Sequence, residues 1–254
     1  ILHDKLNPLD PMFDAEVDPE AAKPSNIAQR YFFDIGDVTK GFAEADEVIE
    51  RHFRTGASHQ GYIEPHACLA NVGNDGQGEL WCCTQGHFGV RDVCARLVGM
   101  DVSKLRVTAS EIGGGFGGKG TVFIEPVALA LSRKAGLPVK LVMTRNEVFR
   151  ASGPTASSNM RFKIGITKAG RITAGEAEIK FQGGAFAGSL VELAVMCAFA
   201  CYDIDNVKAE GFDVVVNRPK LGAYRAPSSP IAAYGVESIL DELAGRIGMD
   251  PIEL

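Results

Sequence analysis

The sequence predicts an α+β fold, with mixed sheets and hairpins against packed helices. Two hairpin signals and three amphipathic helices carry that expectation. Met160–Thr167 and Ile172–Phe181 alternate around Lys168-Ala169-Gly170, and Cys68–Val72 and Glu79–Thr84 flank Asn74-Asp75-Gly76. Helical periodicity covers residues 86–99, 122–135 and 229–247. This mixture of hairpins and helices argues against a doubly wound parallel sheet.

Each element has its own signal. Residues 1–30, rich in Pro, Asp and Asn, read as an extended linker or strap. Tyr31-Phe32-Phe33 is a short strand, and Asp37 caps a helix carrying Val38, Phe42 and Ala45. Glu47–Thr55 alternates as a strand with one mixed and one polar face. After the first hairpin, the helix over 86–99 presents Val90, Val93, Leu97 and Val98. Leu105–Thr108 is a strand, and the helix over 122–135 stops at Gly136 and Pro138. Val139–Met143 is a buried strand. Leu190–Ala200 reads as a helix, Val207–Val216 as a long strand, and 229–247 as a helix with Ile231, Val236, Ile239, Leu240 and Leu243 inward. These elements suggest a first lobe over 31–150 and a second over 151–254.

Composition excludes several function classes. The 254 residues suffice for one large domain or two lobes with a real core. A formal net charge of -6 and scattered basic residues give nucleic acid no footprint. No apolar stretch is long enough for a membrane span, and no signal peptide opens the chain, which starts at Ile1. The six cysteines form no CxxC pair, so the expectation is reduced thiols, no cysteine metal site and a cytoplasmic location.

Glycine is the outlier, with 29 residues, and the densest run is Glu111-Ile112-Gly113-Gly114-Gly115-Phe116-Gly117-Gly118-Lys119. Such a run permits positive φ, removes side chains that block a ligand and exposes amides that form an anion nest. Lys119 adds a cation. A phosphate or the edge of a large cofactor fits this description; a tight structural loop is the plainer reading. The Walker spacing is met by Gly113 and Gly118-Lys119, but Gly120 fills the hydroxyl position. Gly113, Gly115 and Gly118 also satisfy GxGxxG, a weak signal in so glycine-rich a run. Gln85, between a strand and a helix, is either a directed hydrogen-bonding group or a capping residue. Arg225, in Ala223-Tyr224-Arg225-Ala226-Pro227, is either an anion clamp or a structural ion-pair partner.

Taken in order, Trp81-Cys82-Cys83-Thr84-Gln85, Gly113 through Lys119 and Ala223 through Pro227 closely resemble the molybdopterin-binding large subunit of the xanthine dehydrogenase and aldehyde oxidase family of molybdenum hydroxylases. His59-Gln60-Gly61-Tyr62-Ile63-Glu64-Pro65-His66-Ala67 and Phe33-Asp34-Ile35-Gly36-Asp37-Val38 resemble it too. The likeness runs from about residue 24 to the end and implies the first half of the family's molybdenum-binding region. It implies that Gln85 lies at the apical oxo ligand and that Gly114, Gly115, Phe116 and Gly117 line metal and pterin, with Phe116 shaping the substrate pocket. Arg225 matches a position that orients substrate or offsets its charge. The implied cofactor is molybdenum-molybdopterin in the cytosine dinucleotide form, held through its own dithiolene. The implied reaction is hydroxylation with water-derived oxygen, electrons leaving through iron-sulfur clusters to FAD on partner domains or subunits.

Two positions depart from named branches. Gly120 stands where purine-oxidising members carry a glutamate, and Ala226 where carbon monoxide dehydrogenases carry a cysteine. Both substrates are therefore disfavoured, leaving aldehydes or N-heteroaromatic compounds. The family's catalytic glutamate lies beyond the matched region; Glu111 and Glu125 do not occupy its place. The resemblance therefore implies a partner, the remaining half of the molybdenum-binding subunit, and no turnover by this chain alone. The alternative is a cofactor-free binding or assembly subunit of the same fold. Replacing Gly115 by Val is expected to push a branch into the ligand space.

Overall fold

The computed structural model describes residues 25–254. Along the chain run β1 (Ile27–Ile35), α1 (Val38–Ala43), β2 (Glu47–Thr55), β3 (Ala67–Val72), β4 (Gly78–Cys82), α2 (His87–Val98) and β5 (Leu105–Ala109). Then come α3 (Glu125–Ala135), β6 (Val139–Val142), α4 (Arg145–Ala151), β7 (Ser158–Ile166), β8 (Ile172–Gly184), α5 (Val191–Cys197), β9 (Val207–Val215) and α6 (Ser229–Ile247). The α+β expectation holds: helices accompany two mixed sheets.

The lobes are not the two sequence halves. Residues 25–58, 156–221 and 226–254 form one compact unit, and residues 59–155 with 222–225 form the other. The division at residue 150 fails because β1 and β2 are strands of a sheet completed by β7, β8 and β9. The strap expected over 1–30 lies outside the described residues up to residue 24, and Ile27 through Arg30 belong to β1.

The first unit is built on a five-stranded sheet of order β1-β9-β8-β7-β2. All its pairs are antiparallel except β8 with β9. Met160, Phe162, Ile164 and Ile166 of β7 and Ala177, Ile179 and Phe181 of β8 are buried, as period-two alternation requires. Ala232, Val236, Ile239, Leu240 and Leu243 of α6 join the same core, and α6 packs on β2 and β7. Pro230 in the first turn of α6 and left-handed Gly248 at its end set its limits. α5 is shorter than the helix expected over Leu190–Ala200.

The second unit holds a four-stranded sheet of order β5-β4-β3-β6, in which only β4 and β5 are parallel. α2 and α3 cover one face, burying Val90, Cys94, Ala128 and Leu129 against Cys68, Ala70, Leu80 and Cys82. α4 was not anticipated, although Thr144 and Glu147 form a reciprocal capping box. All six cysteines are free thiols, four of them buried. Among the described residues no helix is long and apolar enough to cross a membrane.

Candidate functional site

The second unit brings the sequence-marked residues together, and strand direction explains how. β4 and β5 run parallel, with Cys82 beside Ala109, so the segments leaving them start at the same edge of the sheet. One segment carries Thr84-Gln85-Gly86 into α2. The other carries the glycine loop, which runs on to α3.

The Gln85 backbone N–H donates to the Lys119 carbonyl at 2.9 Å, and the Thr84 hydroxyl donates to the same oxygen at 3.1 Å. The Gln85 side chain turns back on the loop: its Oε1 accepts from Gly117 N–H at 2.9 Å and Lys119 N–H at 3.2 Å. Among the described residues its Nε2 has no protein partner, and the residue is exposed. A carboxamide held by its oxygen presents two donor hydrogens outward. A Cβ added to Gly115 would lie 2.6 Å from Gln85 Oε1. Gly115 therefore makes room for the glutamine, and a valine there would strike the Gln85 side chain.

Arg225 attaches to the other side of the same loop. Its backbone N–H donates to the Phe116 carbonyl at 2.8 Å. Gly117 has φ +100°, and a Cβ there would lie 2.6 Å from the Ala223 carbonyl oxygen. Gln60 Nε2 donates to that oxygen at 2.7 Å and to the Gly153 carbonyl at 3.0 Å, joining the Arg225 segment to the turn after α4. Phe116 itself has positive φ, as do Arg225, Ala226 and Ser228. Such conformations cost free energy in non-glycine residues and gather at functional sites. Phe116 is 48% exposed and Arg225 is exposed, so both border open space beside the bare backbone. Gly114 also has positive φ and lies against the Phe116 ring. Gly120 is exposed, while Ala226 falls in the other compact unit.

Lys119 does not serve as the loop's outward cation. It is 1% exposed, and its Nζ meets Glu64 Oε2 at 2.7 Å. The same carboxylate oxygen accepts from Gly113 N–H at 2.8 Å. Burial alone would raise the Glu64 pKa, but the Lys119 and Gly113 hydrogen bonds outweigh it and leave it lowered. In the sequence, Glu64 and Gln60 stand out only as parts of a motif; their roles depend on contacts with distant segments.

Beneath the loop, Tyr62 Oη lies 2.7 Å from His66 Nε2 and 3.1 Å from Ser152 Oγ, and Ser152 Oγ lies 2.9 Å from His59 Nε2. Burial first, then the Lys119 charge, push the His66 pKa down to about 4. The unfolded chain thus binds a proton near pH 6.5 that the folded chain refuses until about pH 4. His66 should lower stability progressively as pH falls from 6.5 towards 4, with none of this loss above that window. Urea titrations across that range should show a shallower pH slope for His66→Gln; an unchanged slope would remove His66 as the cause.

Glu125 sits apart from these groups. Burial raises its pKa, against hydrogen bonds from the backbone N–H groups of Phe123, Ile124 and Glu125. The thiols of Cys68, Cys82 and Cys94 are pushed up to about 12, by burial first and then by Glu125. Among the described residues no group of three His, Cys, Asp or Glu side chains could hold a metal ion. The site instead offers bare backbone, an aromatic edge, a carboxamide donor and an exposed guanidinium. That combination offers apolar surface and hydrogen-bond donors to a large organic group.

Residues 20–254 match the molybdopterin cofactor-binding domain family. A relative from Bacillus subtilis, named as a probable xanthine dehydrogenase component, is 32% identical over 232 residues, covering 90% of this chain and 31% of its own length. The nicotinate dehydrogenase large molybdopterin subunit of Eubacterium barkeri is 30% identical over 242 residues, 94% of this chain and 57% of that one. The structure of quinoline 2-oxidoreductase from Pseudomonas putida 86 superposes with a TM-score of 0.85 at 26% identity, over 91% of this chain and 30% of that one. This chain thus spans under a third of the length of the Bacillus protein. From its fold, its glycine loop and this match over nearly its whole length, the chain belongs to the molybdopterin cofactor-binding domain family.

Proposed function

We propose that this chain supplies one wall of the cofactor site in a molybdenum hydroxylase that oxidises an aldehyde or an N-heteroaromatic compound with oxygen drawn from water. The observation that carries this reading is the Gln85 carboxamide. Two loop amides hold its oxygen, so its Nε2 is fixed as an outward donor. Bound against the loop, the molybdenum cofactor supplies the two-electron oxidation, and the protein supplies placement. Gln85 would help hold the cofactor through its outward Nε2 donor. Gly114, Gly115, Phe116 and Gly117 offer backbone and one ring to the cofactor's edge. Arg225 provides a guanidinium that binds an anionic oxygen of cofactor or substrate.

The substrate class rests on Gly120 and Ala226, which add neither a carboxylate nor a thiol, and on the relatives. One similar protein is named for nicotinate and one for quinoline, both N-heteroaromatic. A structural neighbour from Desulfovibrio gigas is an aldehyde oxidoreductase. We assign the cytosine dinucleotide form of the cofactor and a cytoplasmic setting. The partners are the remaining half of the molybdenum-binding subunit, an iron-sulfur component and an FAD component.

The test is molybdenum and pterin analysis of the enzyme purified with its partner components. About one molybdenum per assembly with a releasable pterin fluorophore is expected, and a fully assembled complex lacking both would defeat the reading. Gln85→Ala should lower kcat roughly 10- to 100-fold, the scale of one hydrogen bond to a charged group. An unchanged kcat would remove Gln85 from the metal's surroundings.

A further inference from the structure

The Lys119–Glu64 side-chain pair stands behind the glycine loop and touches no side chain assigned above to cofactor or substrate. It is nevertheless bonded to the segment that orients Gln85. Glu64 Oε2 takes Gly113 N–H at the start of the loop and Lys119 Nζ at its end, and Glu64 N–H donates to the Gly113 carbonyl at 3.1 Å. Lys119 then meets Gln85 twice through its backbone: its carbonyl accepts Gln85 N–H, and its N–H donates to Gln85 Oε1. Lys119 Nζ also lies 5.0 Å from the centre of the Tyr62 ring. One carboxylate therefore draws the two ends of a seven-residue loop to a single point. A run with four glycines among its inner five residues has little conformational preference of its own to hold that shape.

The geometry points to Glu64 and Lys119 as a positioning pair that fixes the direction of the Gln85 carboxamide. The inference rests on the proposed cofactor site only for what Gln85 addresses; the clamp on the loop is independent of it. Without the pair, the ends of the loop lose the carboxylate that draws them together, and Gly117 N–H and Lys119 N–H hold the Gln85 oxygen less firmly. The amide is then free to rotate, offering oxygen where a donor is required.

The experiment uses the enzyme purified with its partner components and compares wild type with Glu64→Gln/Lys119→Met. This double variant removes both charges, so that no unpaired ion is left buried, and the Gln retains an acceptor for Gly113. The first readout is hydrogen exchange of loop peptides over 113–119, with α3 peptides as the internal reference. At least tenfold faster loop exchange with α3 unchanged is expected. Loop exchange within twofold of wild type would overturn the clamp. The second readout is the Mo(V) electron paramagnetic resonance of the molybdenum that remains bound. A shifted signal, or pterin content below a third of wild type, is expected. Full cofactor content with an unshifted signal would overturn the link to Gln85. Wild-type enzyme without pterin would refute the proposed function and leave the exchange measurement to decide the clamp.

Discussion

Gly117→Val is expected to empty the assembled enzyme of cofactor and to destabilise this chain by upwards of about 4 kcal/mol. Two independent effects add. The backbone is at φ +100°, where a β-branched residue is strained by about 1–3 kcal/mol. A Cβ would also sit 2.6 Å from the Ala223 carbonyl oxygen, well inside contact distance. That oxygen is backbone and is itself held by Gln60 at 2.7 Å, so it has little freedom to retreat. Gly120→Ala is the matched control. Its nearest atom outside its neighbours is the Gly117 carbonyl at 3.5 Å, an ordinary contact, so its cost should stay within about 0.5 kcal/mol. Urea unfolding together with released pterin fluorescence measures both quantities. Equal stabilities for the two variants would mean that the segment before Arg225 does not rest against Gly117.

The second large effect is an asymmetry within the buried ion pair. Glu64→Ala should cost about 3–5 kcal/mol, because it leaves the Lys119 ammonium in a fully buried position with no counter-charge. Lys119→Met should cost less, by roughly 1–2 kcal/mol, since Glu64 is 32% exposed and water can take over part of its solvation. Removing both charges should cost less than the sum of the single changes, as coupled groups require. Chemical denaturation of the three variants checks the ordering. An additive cycle, with Lys119→Met the worse single change, would contradict the burial assigned to the pair. Because Glu64 titrates below its ordinary range, its contribution should be complete at neutral pH and disappear as pH falls through that lowered value.

Local pattern made much of this legible in the sequence. The hairpin around Lys168-Ala169-Gly170 and the long helix over 229–247 follow from alternation, turn residues and apolar spacing, and both are present. α4 is harder to see, although Thr144-Arg145-Asn146-Glu147 has the spacing of a capping box. Seven residues carry too little periodicity to stand out beside a strong strand signal. The lobes differ from the sequence halves because strand pairing across a long sequence gap has no local signature: nothing near β1 announces that its partner is β9.

The site was legible in its parts and not in its wiring. Glycines, a glutamine and an arginine announced a bare loop with polar neighbours. Two assignments turned on distances that no spacing encodes. Lys119, expected beside a ligand, is committed to Glu64, fifty-five positions earlier in the chain. Gly115 also clears space for Gln85, whose Oε1 would lie 2.6 Å from an added Cβ.

The discontinuous course of the chain fixes the order in which this molecule can be assembled on a ribosome. The sheet of β3 to β6, whose β4 leads into Gln85, is complete once Val142 has been made. The first strand of the other sheet must wait for residues near Val214 to emerge. At typical synthesis rates that delay is on the order of 10 s or more, during which an edge bearing Phe32 and Phe33 has no mate. Arg225 reaches its bond with Phe116 only after that interval. A polypeptide made only as far as the glycine loop therefore lacks the segment that braces it until Arg225 has been added.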